Sequence, residues 1–243
     1  VKGFKPAKTA KAAAKWAMDN NLADFADYSG SSAEVANAWN ESVFYHMQRF
    51  PALRKNMKFI GTTQARNRRW RDLAMQDYLD KLRASNPELS EKRLREFADR
   101  RFGKPRVAGN VWAQSTSDPY VQGVSVNGKW AGKPADFNRT LVRNVESNFH
   151  PPGGDTVKSV IDHELGHQLD DLLAIRYHAR VRELHRQWSY KNIYGNGLSK
   201  YATTNIKEFI AEAWAEYLNN PTPREIASEI GQIILDEYKD FKP

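Results

Sequence analysis

The chain has 243 residues, 40% of them hydrophobic, with seven Trp and a formal net charge of +8, enough apolar material for a packed core and too much for a disordered polypeptide. It contains no cysteine, which excludes disulfides and thiolate metal sites, so any zinc must be held by imidazoles and carboxylates. No apolar run approaches the ~18 residues of a membrane span, and the Lys- and Ala-rich opening lacks the apolar stretch of a signal peptide.

The opening Val1 reads as the start of an excised or processed piece. Residues 6–20 carry an Ala/Lys pattern that predicts a helix. A second helix is expected over 31–50, with Ser32 as cap, Val35, Ala38, Trp39 and Val43 on one face, and Pro51 as its stop. Residues 57–60 suit a short strand. Two charged amphipathic helices follow at 64–84 and 90–102, separated by Asn86-Pro87. The positive charge gathers here, in the run from Arg66 to Arg71 and in Lys92-Arg93 through Arg100-Arg101. Such clusters can meet nucleic acid or an acidic surface. The second is interleaved with Glu91, Glu96 and Asp99 at helical spacing, which favours a solvated helix face.

The middle of the chain, 111–115, 120–130 and 140–148, is richer in Val, Thr and aromatics and predicts strands. Asn127-Gly128 gives a hairpin signal between Val126 and Trp130. The run His150-Pro151-Pro152-Gly153-Gly154 must be a loop. Asp155 or Thr156 then caps a helix expected to reach about Tyr190. A loop covers 191–199, and helices at 205–219 and 222–238, divided by Pro221, end the chain. The seam between a helical N-terminal region, 1–105, and the remainder, 106–243, is expected between Phe102 and Asn110.

The chemistry concentrates in Asp162-His163-Glu164-Leu165-Gly166-His167-Gln168-Leu169-Asp170-Asp171. His163 and His167 are one helical turn apart, so both imidazoles leave one face and can grip one zinc ion. Glu164 is rotated beside them, where it can take a proton from a zinc-activated water. Gly166 lets this helix pack close to a neighbouring backbone, and Val157, Val160, Ile161, Leu165, Leu169 and Leu172 supply its buried face. A third histidine is not available at the position that three-histidine sites use, since Asp170 and Leu173 stand in place of the Gly and His required there. Glu208 is the better third ligand. With Glu212 and Glu216 it forms a stripe at i, i+4 and i+8 with no basic residue on it, a pattern that repels itself unless a positive group faces it. The competing role for Glu208 is a helix cap with Asn205, which has capping-box spacing.

The two segments His163-Glu-Leu-Gly-His167-Gln-Leu-Asp-Asp171 and Tyr201-x6-Glu208-Phe-x-Ala-Glu212-Ala resemble the lethal-factor-like gluzincins, a group that includes the catalytic domain of anthrax lethal factor and the Pro-Pro endopeptidases. The likeness spans about residues 111–218. It implies an α+β, zincin-like fold in which a small twisted, mostly antiparallel sheet packs on two active-site helices, here preceded by the helical N-terminal region. It also implies zinc, one ion per chain, held by His163, His167 and Glu208, with Glu164 as general base and Tyr201 as a hydroxyl near the reacting carbonyl. Tyr190 and Tyr194 are rivals for that last role. Glu212 would stand behind His163 and fix its tautomer, with Asp171 another carboxylate outside the ligand set. The substrate would be a peptide or protein lying extended along a sheet edge, for which the strand expected at 140–148 is the candidate. His150, His178 and His185 receive no role. The segment Gly3-Phe4-x-Pro6-Ala7-Lys8 resembles the openings of phage head-associated proteins that carry appended enzymatic domains, so a phage-associated or secreted effector is expected. The expected function is a zinc metalloendopeptidase. The alternatives are a zinc-binding structural module without turnover, or a basic nucleic-acid-associated protein.

Overall fold

In the computed structural model, which describes residues 3–104, 106–189 and 197–242, the Ala/Lys-rich opening forms helix α1 (Ala10–Asp19), capped by Thr9. A short strand β1 (Phe25–Asp27) leads to α2 (Ala33–Arg49). Ser32 caps α2 by accepting from the Val35 N–H, and Val35, Trp39 and Val43 are buried along one face. Strand β2 (Phe59–Thr62) runs directly into α3 (Thr63–Ser85), and α4 (Glu91–Phe102) folds back beside it around a small cluster of Leu79, Leu94 and Ala98. Strands β3 (Ala113–Thr116) and β4 (Gly123–Val126) are followed by the short α5 (Gly128–Ala131) and by α6 (Pro134–Glu146). The C-terminal helices are α7 (Val157–Leu173), α8 (Ala179–Ser189), α9 (Ile206–Asn219) and α10 (Glu225–Asp240).

The fold is α+β and mostly helical, and its four-stranded sheet is mixed, in the order β1-β2-β4-β3. The expectation of a mostly antiparallel sheet is corrected: β1 pairs with β2 and β2 with β4 in parallel, and only β3 runs antiparallel, against β4. Parallel neighbours need a long crossover, and α2 supplies one between β1 and β2. The sheet takes β1 and β2 from before position 105 and β3 and β4 from after it. One buried core, including Trp39, Val124, Leu165, Phe209 and Trp214, runs across that position as well.

Three local expectations are also corrected. Asn127-Gly128 makes no hairpin, because Asn127 caps α5 through the Lys129 N–H and donates its own amide to the Ala108 and Val111 carbonyls. Residues 140–148 are not a strand but lie largely in α6, which starts at Pro134 and buries Phe137 and Leu141 one turn apart. Helical spacing of two core residues outweighs the β-branched composition there. The helix expected to reach Tyr190 breaks at Ala174, which adopts the left-handed conformation with φ of 58°. Asp170 holds that break, with its carbonyl accepting from the Ala174 N–H and its carboxylate from the Arg176 N–H at 2.7 Å.

The position of α7 is fixed by a buried carboxylate. Asp162 accepts from Ser42 Oγ on α2, from Lys158 Nζ one turn back, and from Asn219 Nδ2 on α9 at 2.8 Å. The basic clusters are largely paired on the surface: Arg68 reaches Asp27, Arg71 reaches Asp99, Arg93 reaches Glu96, and Arg69 lies 4.8 Å over the Phe25 ring. No helix among the described residues is long and apolar enough to cross a membrane.

Candidate metal centre

Helix α7 starts from a reciprocal cap, Thr156 accepting from the Ser159 N–H while Ser159 Oγ accepts from the Thr156 N–H. Ile161, Leu165 and Leu169 are buried beneath it. Gly166 faces α9 at such close range that a Cβ there would lie 3.0 Å from the Ala211 Cα. This approach brings the acidic stripe of α9 onto the histidine face of α7. His163 Nε2 is 3.0 Å, and His167 Nε2 3.3 Å, from the same oxygen of Glu208. One donor atom from each of His163, His167 and Glu208 lies within 4.8 Å of the other two.

Asn205 and Glu208 divide the roles that the sequence left open. The Asn205 side chain caps α9 by accepting from the Lys207 and Glu208 N–H groups, while the Glu208 carboxylate turns to the histidines. Burial alone would push the Glu208 carboxyl up, yet its hydrogen bonds from His163 and His167 outweigh that and hold it well below the usual range. Burial likewise pushes the His163 imidazole down, and the hydrogen bond to Glu208 with the close Glu212 carboxylate overcomes it, raising it to about 10. The carboxylates therefore create a strong preference for positive charge at this point.

The other two glutamates of the stripe have different partners. Glu212, almost fully buried, stands with Oε1 2.8 Å from His163 Nδ1, on the ring edge opposite Glu208. It also accepts from Ser199 Oγ at 2.7 Å and lies 3.0 Å from His150 Nδ1. Desolvation opposes its charge, but His150 and His163 draw its carboxyl down to about 2. Glu216 is fully buried and faces the Arg224 guanidinium at 2.6 Å. The positive group that the stripe requires at its far end thus comes from Arg224, the residue that precedes α10.

Glu164 is nearly buried beside His163 and His167, and burial raises its carboxyl above the usual range. Tyr201, in a 3-10 turn Tyr201–Thr203, stacks its ring 5.9 Å from His163. Burial, then the charges of Glu208, Glu164 and Glu212, push its hydroxyl up, so it stays protonated. Asp171 lies on the cleft wall, but its carboxylate pairs with Arg176 rather than supporting an imidazole. His178 lies 3.5 Å from Glu237 and His185 packs on Phe209, both away from the cluster. Tyr190 and Tyr194 lie outside the described residues.

Two cavities meet at these groups. One, of about 370 Å³, is walled by Trp112, Leu141, Phe149, His150, Val160 and Tyr201 and opens on His163 and Glu164. The other, of about 470 Å³, is polar and runs from β3 to His167, Glu208, Asp171 and Arg176. His150 is the site residue that sequence reasoning missed. A single histidine before a Pro-Pro turn has no partner at a readable spacing, and its contact with Glu212 spans 62 positions. Comparison with protein-family models, with curated proteins and with solved structures finds no match, so the site is read from its own geometry.

Proposed function

We propose that the chain is a zinc-dependent endopeptidase. The observation that carries this reading is the convergence of His163, His167 and Glu208 on one point, with the buried Glu164 carboxyl beside it. The donor set fits zinc: two neutral imidazole nitrogens and one carboxylate oxygen are a known catalytic combination that leaves a position open. Glu212 behind His163 is the outer carboxylate that such ligands use to fix their tautomer. A zinc ion bound there supplies Lewis-acid polarisation of the scissile carbonyl and acidifies an attacking water.

The protein's own groups do the remaining work. Glu164 takes the proton of the attacking water and returns one to the leaving amine, and its raised proton affinity suits a group that must both accept and release. Tyr201, kept protonated, donates to the oxyanion as the carbonyl carbon becomes tetrahedral. Strand β3 is the sheet edge that lines the cleft beside Glu164, so an extended peptide would pair with β3. That replaces the segment 140–148 as the substrate strand.

Digestion of a random peptide library, read by mass spectrometry, tests the proposal. Cleavage is expected with zinc, and is expected to stop with a chelator or with Glu164→Gln. Cleavage that ignores both would reject the mechanism, and no cleavage by zinc-loaded protein would reject the peptidase reading.

A further inference from the structure

We infer that His150 is a positioning residue for the metal ligand His163, acting through the buried Glu212 carboxylate. The inference rests on the zinc reading above and adds to it a residue that neither motif contains. Glu212 is held from three separate segments: by His163 on α7, by Ser199 before α9, and by His150 in the loop before α7. A carboxylate has about four acceptor sites, and a buried one needs most of them filled. His150 lies almost equidistant from both Glu212 oxygens, at 3.0 and 3.1 Å, so it fixes the plane of the carboxylate. That plane sets where Oε1 meets His163 Nδ1.

The consequence for His163 is orientational. With Nδ1 held 2.8 Å from Glu212 Oε1, the ring aims its Nε2 at Glu208 and at the point where the three donors converge, and Nε2 is the atom a metal ion would take. If Glu212 lost the His150 donor, its carboxylate would be free to rotate toward Ser199, and His163 would lose that constraint. His150 itself cannot swing away easily. Its ring packs 5.3 Å from Trp112, 5.0 Å from Phe149 and 5.5 Å from Tyr201. These aromatics also wall the apolar cavity, so the loop that forms the cavity and the metal ligand are tied together at one hydrogen bond.

The test uses two substitutions that separate hydrogen bonding from packing. His150→Phe keeps a ring among Trp112, Phe149 and Tyr201 but has no donor. His150→Asn gives up the ring but sets an amide N–H near the position of Nδ1. Zinc affinity of each full-length variant is measured by competition with a chromophoric chelator, alongside thermal unfolding in excess chelator. His150→Phe is expected to lose about 10–100-fold in zinc affinity while unfolding near the unmodified protein's temperature, and His150→Asn is expected to recover most of the affinity. Equal affinity in His150→Phe and the unmodified protein overturns the inference, as does a His150→Asn variant as weak as His150→Phe. An unmodified protein that takes up no zinc rejects the metal reading itself, and this inference with it.

Discussion

Gly166 on α7 and Ala211 on α9 touch backbone to backbone: a Cβ on the glycine would stand 3.0 Å from the alanine Cα and 3.4 Å from Trp214 Cβ. The two helices that carry the proposed ligands are therefore spaced by the absence of one methyl group. Backbone atoms give way less readily than the tips of side chains. Gly166→Ala is expected to cost about 1–3 kcal/mol through overpacking, more than the helix-propensity gain of about 1 kcal/mol can return. Gly166→Val should cost more again and spread His163 and His167 away from Glu208. Chemical denaturation with and without zinc checks both. A Gly166→Ala protein as stable as its parent would mean that α7 and α9 can separate freely.

Glu164 offers the cleanest division between binding and turnover. It lies beside the ligands without sharing the point where their donors converge. Glu164→Gln is expected to retain zinc and lose about 10²–10⁴-fold in the rate of peptide cleavage. Tyr201→Phe should lower kcat more than it alters KM, since the hydroxyl is needed chiefly when the oxyanion forms. Steady-state kinetics on any peptide that emerges from the library would show whether the two effects separate in this way.

With His163 as a proposed zinc ligand, its electrostatics predict that metal uptake depends on pH. Glu208 and Glu212 outweigh burial and raise the imidazole to about 10, so at neutral pH the ring holds a proton that a metal ion must displace. The sign follows directly: zinc affinity rises with pH, by about tenfold per unit for one displaced proton, until the ring's own range is reached. Calorimetric titration at pH 7 in two buffers of different ionisation heat is expected to show release of about one proton per zinc. An affinity that stays flat between pH 6 and 8 would contradict this account of the site.

The parts of this architecture that could be read from sequence are those written in short spacings. The i, i+4 pair His163 and His167, the stripe Glu208, Glu212 and Glu216, the caps Ser32, Thr156 and Asn205, and the close-packing Gly166 all express the 3.6-residue period or one residue's stereochemistry. What escaped depends on distant partners. Strand β1 is three residues long and is defined by pairing with β2, so no local pattern marks it. Residues 140–148 look strand-like by composition, but Phe137 and Leu141 make them a helix once a core lies on one side. Ala174 breaks a helix because the Asp170 side chain caps the next turn, an event that a non-Gly sequence does not announce. His150 joins the site across 62 positions.

Glu216 completes the stripe without joining the site, and this gives the last prediction. The Arg224 guanidinium covers it with three nitrogen-to-oxygen contacts of 2.6, 2.9 and 3.1 Å and also holds the Gly197 carbonyl at 2.6 Å, while the Arg224 backbone N–H adds a fourth at 3.0 Å. On the proposed reading the two ends of the stripe serve different purposes, metal chelation at Glu208 and attachment of α10 at Glu216. Arg224→Ala leaves a fully buried carboxylate with the residue-224 N–H and Asn220 as donors but without its counter-ion, and is expected to cost about 3 kcal/mol. Glu216→Ala should cost less, because the Arg224 side chain is 34% exposed and can turn its charge to water. Glu208→Ala should show the opposite profile, with zinc affinity falling far more than in Glu216→Ala. Thermal unfolding in chelator and a zinc competition titration, run on the same three variants, give the two axes. If Glu216→Ala weakened zinc as much as Glu208→Ala, the stripe would act as one charged unit, and the assignment of Glu208 as the single carboxylate ligand would have to be withdrawn.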